Sequence, residues 1–253
     1  RYFEEVVRRS QRSPFWQSMR ESSSCGPLWA LIGITAFLIL GSAINHTLGQ
    51  YVSIYLVCGG DLAAASILNG WKATLIMVVG VLGIPLWTWL SERLDKKIIV
   101  TIMLAASVFG HCLNLVCLRP DMPYLMLVPG VFEMGALGAV WLFFPSMKAD
   151  VADYDEMSTG RRREGSLNAF ASWFAKLAAT VGAGLGGLVI HWAGVDVMVA
   201  VQDPGVLEKM RKLFIALPLV LWSFTLVFIW RYPLTRDVMA GIRAKLEAKR
   251  GLV

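Results

Sequence analysis

Two kinds of ionisable residue in this sequence stand where they can do chemistry. Lys176 and Glu133 lie singly inside long apolar stretches, whereas residues 149–165, "ADVADYDEMSTGRRREG", crowd acids and bases into one short connection. An ionisable group inside an apolar span is costly and is a functional hypothesis by default. Exposed ion pairs are individually weak, so a dense cluster of them suits contacts that form and break. Both patterns indicate electrostatic rather than covalent chemistry.

Sequence signatures of enzymes are missing. The sequence contains no HExxH, no GxSxG and no cysteine pair at metal-ligand spacing. Its four cysteines, Cys25, Cys58, Cys112 and Cys117, form neither a metal pattern nor a disulfide framework. We therefore expect no enzyme, no metal site and no cofactor. A six-span membrane enzyme or scaffold stays as a less favoured alternative.

The composition is that of a membrane protein. Of the 253 residues, 56% are hydrophobic and 17% are charged, whereas a soluble domain has about 25% charged residues. The net charge is +6, but the basic residues lie between apolar blocks. This placement favours the anionic surface of a bilayer as the partner and argues against nucleic acid.

Six stretches are long and apolar enough to cross a bilayer, which requires about 20 residues each. Because isolated strands leave backbone groups unpaired in lipid, all six must be helices, and the fold class is all-α. The six predicted spans cover residues 28–57, 66–90, 98–118, 124–147, 166–192 and 213–230.

Lysine and arginine in the connections predict the orientation. They are dense in the leading segment, around Arg93, at Arg161–Arg163 and after Trp230. The loop near Gly59 has none, and residues 193–212 have three, all at the far end: Lys209, Arg211 and Lys212. We therefore expect residues 1–27 to be a cytoplasmic linker, residues 28–230 a transmembrane domain and residues 231–253 a cytoplasmic tail. Residues 194–205 are expected to form an external loop.

Three charged residues fall inside the predicted spans. Lys176 lies eleven residues past Gly165, about 16 Å along a helix, so it needs a carboxylate partner or a water-filled cavity. Glu133 is also near mid-membrane, where it can pair with Lys176, sense protons or form a purely structural ion pair. Lys72 is six residues from the predicted outer end of its helix, so we expect its side chain to reach the interface.

Neutral polar and small residues within the spans favour helix packing. We expect most of the polar set to bond between helices: Asn45, His46, Gln50, Asn69, His111, Asn114 and Asn168. Asn45 is kept as a candidate for the substrate site. Ala178, Gly182 and Gly186 repeat at spacing four, which lets another helix approach closely.

The charged segment carries a resemblance to a known family. "ADVADYDEMSTGRRREG" with the following "WFAKLAATVGAG" resembles the glycoside–pentoside–hexuronide:cation symporters, the melibiose-permease-like branch of the major facilitator superfamily. "GIPLWTWLSERLDKK" is similar to the same family's connection between helices eight and nine. "VLEKMRKLFIALP" and "YPLTRDVMAGIRAKLEAKRG" are similar to its final helix and tail. The likeness runs from about Pro14 to the end of the chain. The segment at residues 149–165 is the most specific part of it.

The resemblance implies twelve helices in two halves, of which this chain is the second, helices seven to twelve. Lys176 falls where the family carries a lysine near its sugar and cation sites, and Trp141 where melibiose-type members have a cavity-facing tryptophan. Ala171 and Ser172 replace a Gln-Thr pair of the melibiose carriers, which argues against the same sugar. The family's cation ligands lie in the first half, so the missing six-helix half is an expected partner. The sequence also lacks an initiator methionine, which favours a longer protein.

The charge cluster then has a hypothetical role. Transporters of this kind rock one half against the other around a midplane site, and charges at the cytoplasmic end can hold the halves together in one state. The alternative is that the arginines fix topology and the acids cap helix ends. The predicted latch consists of Asp150, Asp153, Asp155, Glu156, Arg161, Arg162 and Arg163, assisted by Glu92, Arg93 and Asp95.

The sequence therefore predicts half of an inner-membrane transporter that moves a glycoside or related sugar together with Na⁺ or H⁺. The candidate substrate or cation residues are Lys176, Trp141, Glu133, Ser172 and Asn45. A second reading keeps this fold and changes the cargo to a lipid-like or peptidoglycan-derived solute.

Overall fold

The computed structural model of the protein describes residues 15–250. Within that range the chain is helical, and no strand occurs. Residues 1–14 of the predicted linker and the last three residues of the predicted tail, including Gly251, lie outside the described part. The helices are α1 Phe15–Ser23, α2 Gly26–Tyr51, α3 Leu62–Arg93, α4 Lys96–Cys117, α5 Leu127–Gly138, α6 Phe144–Thr159, α7 Glu164–Ala193, α8 Pro204–Arg231 and α9 Arg236–Arg250.

Shorter helical turns extend two of these elements. A π-helical turn, Val52–Val57, continues α2, and a second one, Ala139–Phe143, joins α5 to α6. A 3₁₀ turn, Pro123–Met126, leads into α5. Joined in this way, the described residues contain six helical segments long and apolar enough to cross a membrane. The predicted all-α fold with six spans is confirmed.

Three helix ends differ from the prediction by four residues or more. Asp61 accepts hydrogen bonds from the backbone N–H groups of Ala63 and Ala64, so α3 begins at Leu62 instead of residue 66. Asp203 caps α8 in the same way, and Pro204 follows at the first helical position. Because α8 therefore begins at Pro204, the predicted external loop ends at residue 203. Three bases counted in that connection, Lys209, Arg211 and Lys212, lie on the helix.

The third difference concerns the charged segment. Helix α6 runs to Thr159 and ends at Gly160, whose φ of +69° is the left-handed conformation that glycine adopts easily at a helix end. The acids at residues 150–156 therefore lie on a helix and not in a connection. Only residues 160–163 link α6 to α7.

Helix α2 is the centre of the packing. It lies against both α7 and α8, while α4 packs on α5 and α8, and α3 packs chiefly on α5. Leu31, Ile34 and Leu38 of α2 are fully buried. Helix α9 packs on α6, with Met239, Ile242 and Leu246 buried, so the tail after the last span is part of the folded body.

The contact between α2 and α7 depends on small residues. A Cβ at Gly182 would come 2.7 Å from Cβ of Ala43, and a Cβ at Gly186 would come 2.7 Å from Cβ of Thr47. The predicted close approach of another helix to this row is confirmed. Without side chains on α7 here, the two backbones gain dispersion contacts that larger residues would prevent.

Helix α3 packs on one side only. Ala65 and Leu68 near its beginning are buried, whereas Trp71, Met77 and Leu82 are exposed. A helix that is apolar all round but half uncovered belongs in lipid or against a further protein surface.

Gly182→Ala is expected to lower the free energy of unfolding by about 1–3 kcal/mol, because the added methyl group overpacks the contact with Ala43. Gly184→Ala is the matched control, since a Cβ at Gly184 meets nothing within 4 Å. That change is expected to be neutral or to stabilise by up to about 1 kcal/mol through helix propensity. Thermal unfolding in detergent or nanodiscs measures both variants, and equal effects would contradict the small-residue contact.

Candidate functional site

Glu133 on α5 lies in a buried cluster of polar side chains from three helices. It is only 7% exposed. Its Oε2 lies 3.1 Å from Nζ of Lys72 on α3, and its Oε1 lies 3.2 Å from Nδ1 of His111 on α4. Nδ2 of Asn114, also on α4, donates to the same oxygen over 3.3 Å. We call Lys72, His111, Asn114 and Glu133 the Glu133 cluster.

One expectation for these residues was wrong: Lys72 turns inward instead of reaching the interface. Of the alternatives left open for Glu133, the structure shows an ion pair, and its partner is Lys72 and not Lys176. The cause is the early start of α3: Lys72 is ten residues beyond Leu62, which places it about 15 Å along the helix. Gly130 also makes room for the lysine, since a Cβ there would come 3.1 Å from Cε of Lys72. His111 and Asn114 do bond between helices, as predicted.

Lys176 lies near the middle of α7, twelve residues after Glu164, or about 18 Å along the axis. Its side chain is exposed and has no hydrogen bond or ion pair with another residue in the described range. At about 100° per residue, it lies about 120° around α7 from the row that contacts α2. The charge is therefore directed away from the packed face of its helix.

Trp141 occupies the π-helical turn between α5 and α6 and is 77% exposed. Pro145 follows four residues later and cannot donate to the Trp141 carbonyl, which favours a local departure from α-helical bonding. Single π-helical turns inside α-helices are frequent at functional sites. The indole ring is therefore open to contact from outside the described bundle.

The remaining candidates of the substrate site are less distinctive. Ser172 is partly buried one turn before Lys176, and Asn45 on α2 is partly buried with an Oδ1 that accepts no hydrogen bond from the described residues. Asn69 on α3 donates to Gln50 and to Ser53, which confirms its predicted bonding between helices. Among the described contacts, no hydrogen bond links Glu133, Lys176 and Trp141 to one another.

Asp150 is buried at the charged end of the bundle. Its Oδ2 lies 2.5 Å from Nζ of Lys96 at the start of α4, and its Oδ1 accepts from Arg243 of α9 over 2.8 Å. Arg243 also lies 3.8 Å from Asp153. This carboxylate therefore joins three helices of the same chain.

Asp155 is the second buried acid. Arg163 donates to both of its oxygens, over 2.6 and 3.0 Å, and to Glu21 of α1 over 2.8 Å. The hydrogen bonds to Asp155 raise the pKa of the Arg163 guanidinium. The pKa of the Glu21 carboxyl is lowered by hydrogen bonds from Gln17 and then from Arg163. This network fixes the helix before the first span to the end of α6.

Other members of the predicted latch are more accessible. Arg161 and Arg162 are exposed, in weak contact with Glu21 at 3.8 Å and with Glu164 at 3.0 Å. Asp153 and Glu156 are partly buried on α6. Around the α3–α4 connection, Arg93 lies over the Trp89 ring, while the Glu92 carbonyl and the Asp95 side chain accept hydrogen bonds from Arg236.

A metal site is not formed by the described side chains. Within residues 15–250, no three His, Cys, Asp or Glu side chains meet in a group suited to a metal ion.

Comparison with known proteins identifies a family. A family model described as MFS/sugar transport protein matches residues 3–236. An uncharacterized symporter of Synechocystis is 30% identical over 170 residues, covering 65% of this chain and 31% of the relative.

Two further relatives differ in the cargo that their names state. A sphingosine-1-phosphate transporter of Xenopus tropicalis is 24% identical over 94% of this chain and 45% of its own length. A protein of Escherichia coli named as a glycoside/cation symporter is 28% identical over 41% of this chain and 23% of its own length. The chain thus spans less than half the length of each of these relatives.

Arg163→Ala is expected to lower the free energy of unfolding by about 3 kcal/mol, because it leaves the buried Asp155 carboxylate without its partner. Arg162→Ala is the matched control: its ion pair with Glu164 is exposed, so the loss should stay below about 1 kcal/mol. Thermal unfolding of both variants measures the difference. Equal losses would contradict a structural role for the buried pair.

Proposed function

The chain belongs to the family of MFS/sugar transport proteins, and we propose that it forms six helices of a transporter that moves a solute with a cation by alternating access. Six apolar helices and transporter relatives make it an integral membrane protein. The relatives bear the names of transporters and symporters, not of enzymes. Transporters of this symporter type need no cofactor, and a coupling cation is expected.

The proposed arrangement uses a second six-helix half. The chain spans about half the length of the relatives it matches over most of its residues, and α3 leaves most of its apolar surface uncovered. A second half packed on part of that surface would enclose a pathway between the two. We assign residues 28–230 to the membrane domain, residues 1–27 to a cytoplasmic linker and residues 231–253 to a cytoplasmic tail, with both ends on the inner side of the plasma membrane.

The proposal rests chiefly on one observation: Lys176 lies inside a span and has no partner among the described residues. A lysine near mid-membrane needs a counter-charge or water, and within residues 15–250 its ammonium group has neither an ion pair nor a hydrogen bond. The partner must therefore come from outside the described residues. A pathway between the two halves would supply water, and a solute or the other half would supply the counter-charge.

A glycoside or related sugar is the first solute class. Trp141 presents an open indole ring on an unusual helical turn, and aromatic faces stack on the apolar faces of sugar rings. Ser172, one turn from Lys176, offers a hydroxyl group to the same pathway. The family description and one relative name sugars or glycosides as cargo.

A phosphate-bearing lipid is the second solute class, and the surroundings of Lys176 favour it. Trp173 and Leu177 beside the lysine are exposed and apolar. A lysine binds phosphate as a point charge, and an acyl chain would cover the apolar neighbours. A relative matched over 94% of this chain is named as a transporter of sphingosine-1-phosphate.

We propose that the accessible charges of the predicted latch form a gate on the cytoplasmic side. Asp150 and Asp155 are already held by bases of this chain, so we assign them to anchoring α6. We assign the contacts that form and break to the more accessible members of the latch: Arg161, Arg162, Glu156, Asp153, Glu92 and Arg93. Each exposed pair contributes about 0.2–1 kcal/mol, so several must act together to shift the conformational equilibrium.

Lys176→Ala in the full-length protein is expected to abolish solute uptake into proteoliposomes, whereas Lys176→Arg should keep part of it because the charge remains. Lys212→Ala is the control, since Lys212 is exposed and pairs only with Glu208 on its own helix among described contacts. Undiminished uptake by Lys176→Ala would overturn the proposed pathway.

The two solute classes are separated by ligand-dependent thermal stability, since a ligand at 100 times its Kd stabilises by about 2.7 kcal/mol. The probes are methyl glycosides and lysophosphatidylcholine, each added to the purified full-length protein. If the cargo is a sugar, a methyl glycoside stabilises the wild type and Trp141→Ala loses this stabilisation. If the cargo is a lipid, lysophosphatidylcholine stabilises the wild type and Lys176→Ala loses this stabilisation. Trp230→Ala, which changes another exposed tryptophan, is the control and leaves either result unchanged.

Arg161→Glu is expected to shift the protein away from the state closed on the cytoplasmic side, because it reverses one of the accessible charges. Lys245→Glu on α9 makes the same charge change on an exposed residue at the same end and serves as control. Labelling of cysteines introduced along the pathway reports the two populations. Identical labelling of both variants would contradict the gate.

A further inference from the structure

Gln50 of α2 and Asn69 of α3 form a pair of side-chain amides where the first two spans meet. Nδ2 of Asn69 donates to Oε1 of Gln50 over 3.0 Å and to the hydroxyl oxygen of Ser53 over 2.7 Å. Ser53 donates its own proton to the backbone carbonyl of Gln50 over 2.8 Å, so its oxygen must accept from Asn69. This network fixes the way in which both amides are turned.

The pair leaves hydrogen-bonding groups unused. Nε2 of Gln50 and Oδ1 of Asn69 have no partner among the contacts of the described residues. Gln50 is exposed, yet it lies seven residues before Val57, the last residue of its span, or about 10 Å along the helix. His46, one turn before Gln50, is exposed as well. Because lipid offers no hydrogen bonds, polar groups at this depth need water, a solute or a protein partner.

Helices α2 and α7 run parallel and in register, since a Cβ at Gly182 would meet Ala43 and a Cβ at Gly186 would meet Thr47. Phe37 of α2 stacks on two phenylalanine rings of α8, so it marks the side of this helix pair that faces α8. Phe37 also lines an apolar groove together with residues of α7. The side of the pair that faces α8 is therefore apolar.

His46, Gln50 and Lys176 lie on the opposite side of the same helix pair. At about 100° per residue, His46 is about 80° around α2 from the row that contacts α7, and Phe37 is about 100° in the other direction. Lys176 is about 120° around α7 from its contact row, whereas Val181, which lines the apolar groove, is about 100° in the other direction. Lys176 is level with Phe37, so His46 lies about 14 Å and Gln50 about 20 Å further along this polar face.

We propose that Gln50 and Asn69, with His46 one turn deeper, form an outer binding site for hydroxyl groups of the solute, on the pathway that leads to Lys176. The inference rests on the proposed function, and it favours the sugar class of solute. A sugar hydroxyl both donates and accepts, so it can accept from Nε2 of Gln50 and donate to Oδ1 of Asn69. An ionised phosphate group offers acceptor oxygens only, which the oxygen of Asn69 would repel.

Binding of a methyl glycoside and its deoxy analogues to the purified full-length protein tests the site, because each analogue lacks one hydroxyl group. We expect the wild type to bind one of the analogues about 3- to 10-fold more weakly than the parent glycoside, the effect of one neutral hydrogen bond. Gln50→Met keeps the length of the side chain without its N–H groups, so this ratio should fall to about 1, while the ratios for the other analogues stay. A merely structural role of Gln50 would not change the ratio for a single hydroxyl group.

Thr74→Val is the matched control. Thr74 is an exposed polar residue on the same helix as Asn69, and its hydroxyl donates to the Gly70 carbonyl of that helix. It lies about 140° around α3 from Asn69. This variant should keep all the wild-type ratios.

Thiol labelling tests the position of Gln50 without a solute. Gln50→Cys in the full-length protein is expected to react with a membrane-impermeant thiol reagent, above the background of the four cysteines of the chain. A cysteine that faced lipid would stay unmodified.

Failure of the site and failure of the proposed function give different results. If the wild type binds the glycoside but Gln50→Met keeps every ratio, or if Gln50→Cys does not react, the inference is overturned and the proposed function stands. If the protein carries lysophosphatidylcholine and binds no glycoside, the inference also fails, and the lipid class remains. If the wild type carries neither probe, the proposed function fails and the outer site fails with it.

Discussion

A charge removed from water must have a partner within hydrogen-bonding distance, and this constraint organises the protein. Glu133, Asp150 and Asp155 are all buried, and each is met by a base on another element of the chain. The three pairs join the helices at two levels of the bundle. Desolvation makes any of them costly if one partner is lost, so they specify which elements lie together more than they add net stability.

The same constraint separates anchors from functional groups. Arg163 holds α1 to α6, because it donates to both oxygens of Asp155 on α6 and to Glu21 on α1. These bonds stabilise one fixed arrangement. Lys176 has no such partner among the described residues and lies away from the face that contacts α2. An unpaired lysine near the middle of a membrane span fits the proposed contact with a solute or a second half. Backbone groups follow the rule as well. Pro218 has no N–H to donate to the Phe214 carbonyl, and the His111 ring hydrogen-bonds this carbonyl instead.

Small residues decide how close the helices come. Gly182 and Gly186 let α7 lie directly on α2, while Gly130 gives Lys72 a path to Glu133. Lipid supplies no hydrophobic force between helices, so such contacts depend on close packing and on polar bonds. The central helix α2 is consequently packed on two sides, whereas α3 is packed on one. The uncovered apolar surface of α3 is consistent with packing against a further protein surface or lipid.

The sequence by itself determined the solvent, the number of spans and the family resemblance. Apolar length reports the solvent and the number of spans directly, because each span must satisfy its own backbone bonds in lipid. The resemblance rests on the charged segment at residues 149–165. It also singled out Lys176, Glu133 and the charged segment, since charges are conspicuous in apolar surroundings. Only the tertiary structure decided which charges meet. The pairing of Glu133 with Lys72 depended on a helix that starts four residues earlier than predicted, because a shift of that size moves a side chain by one turn and about 6 Å. The burial of Asp150 and Asp155 likewise depended on α6 continuing as a helix, with α9 and α1 packed beside it.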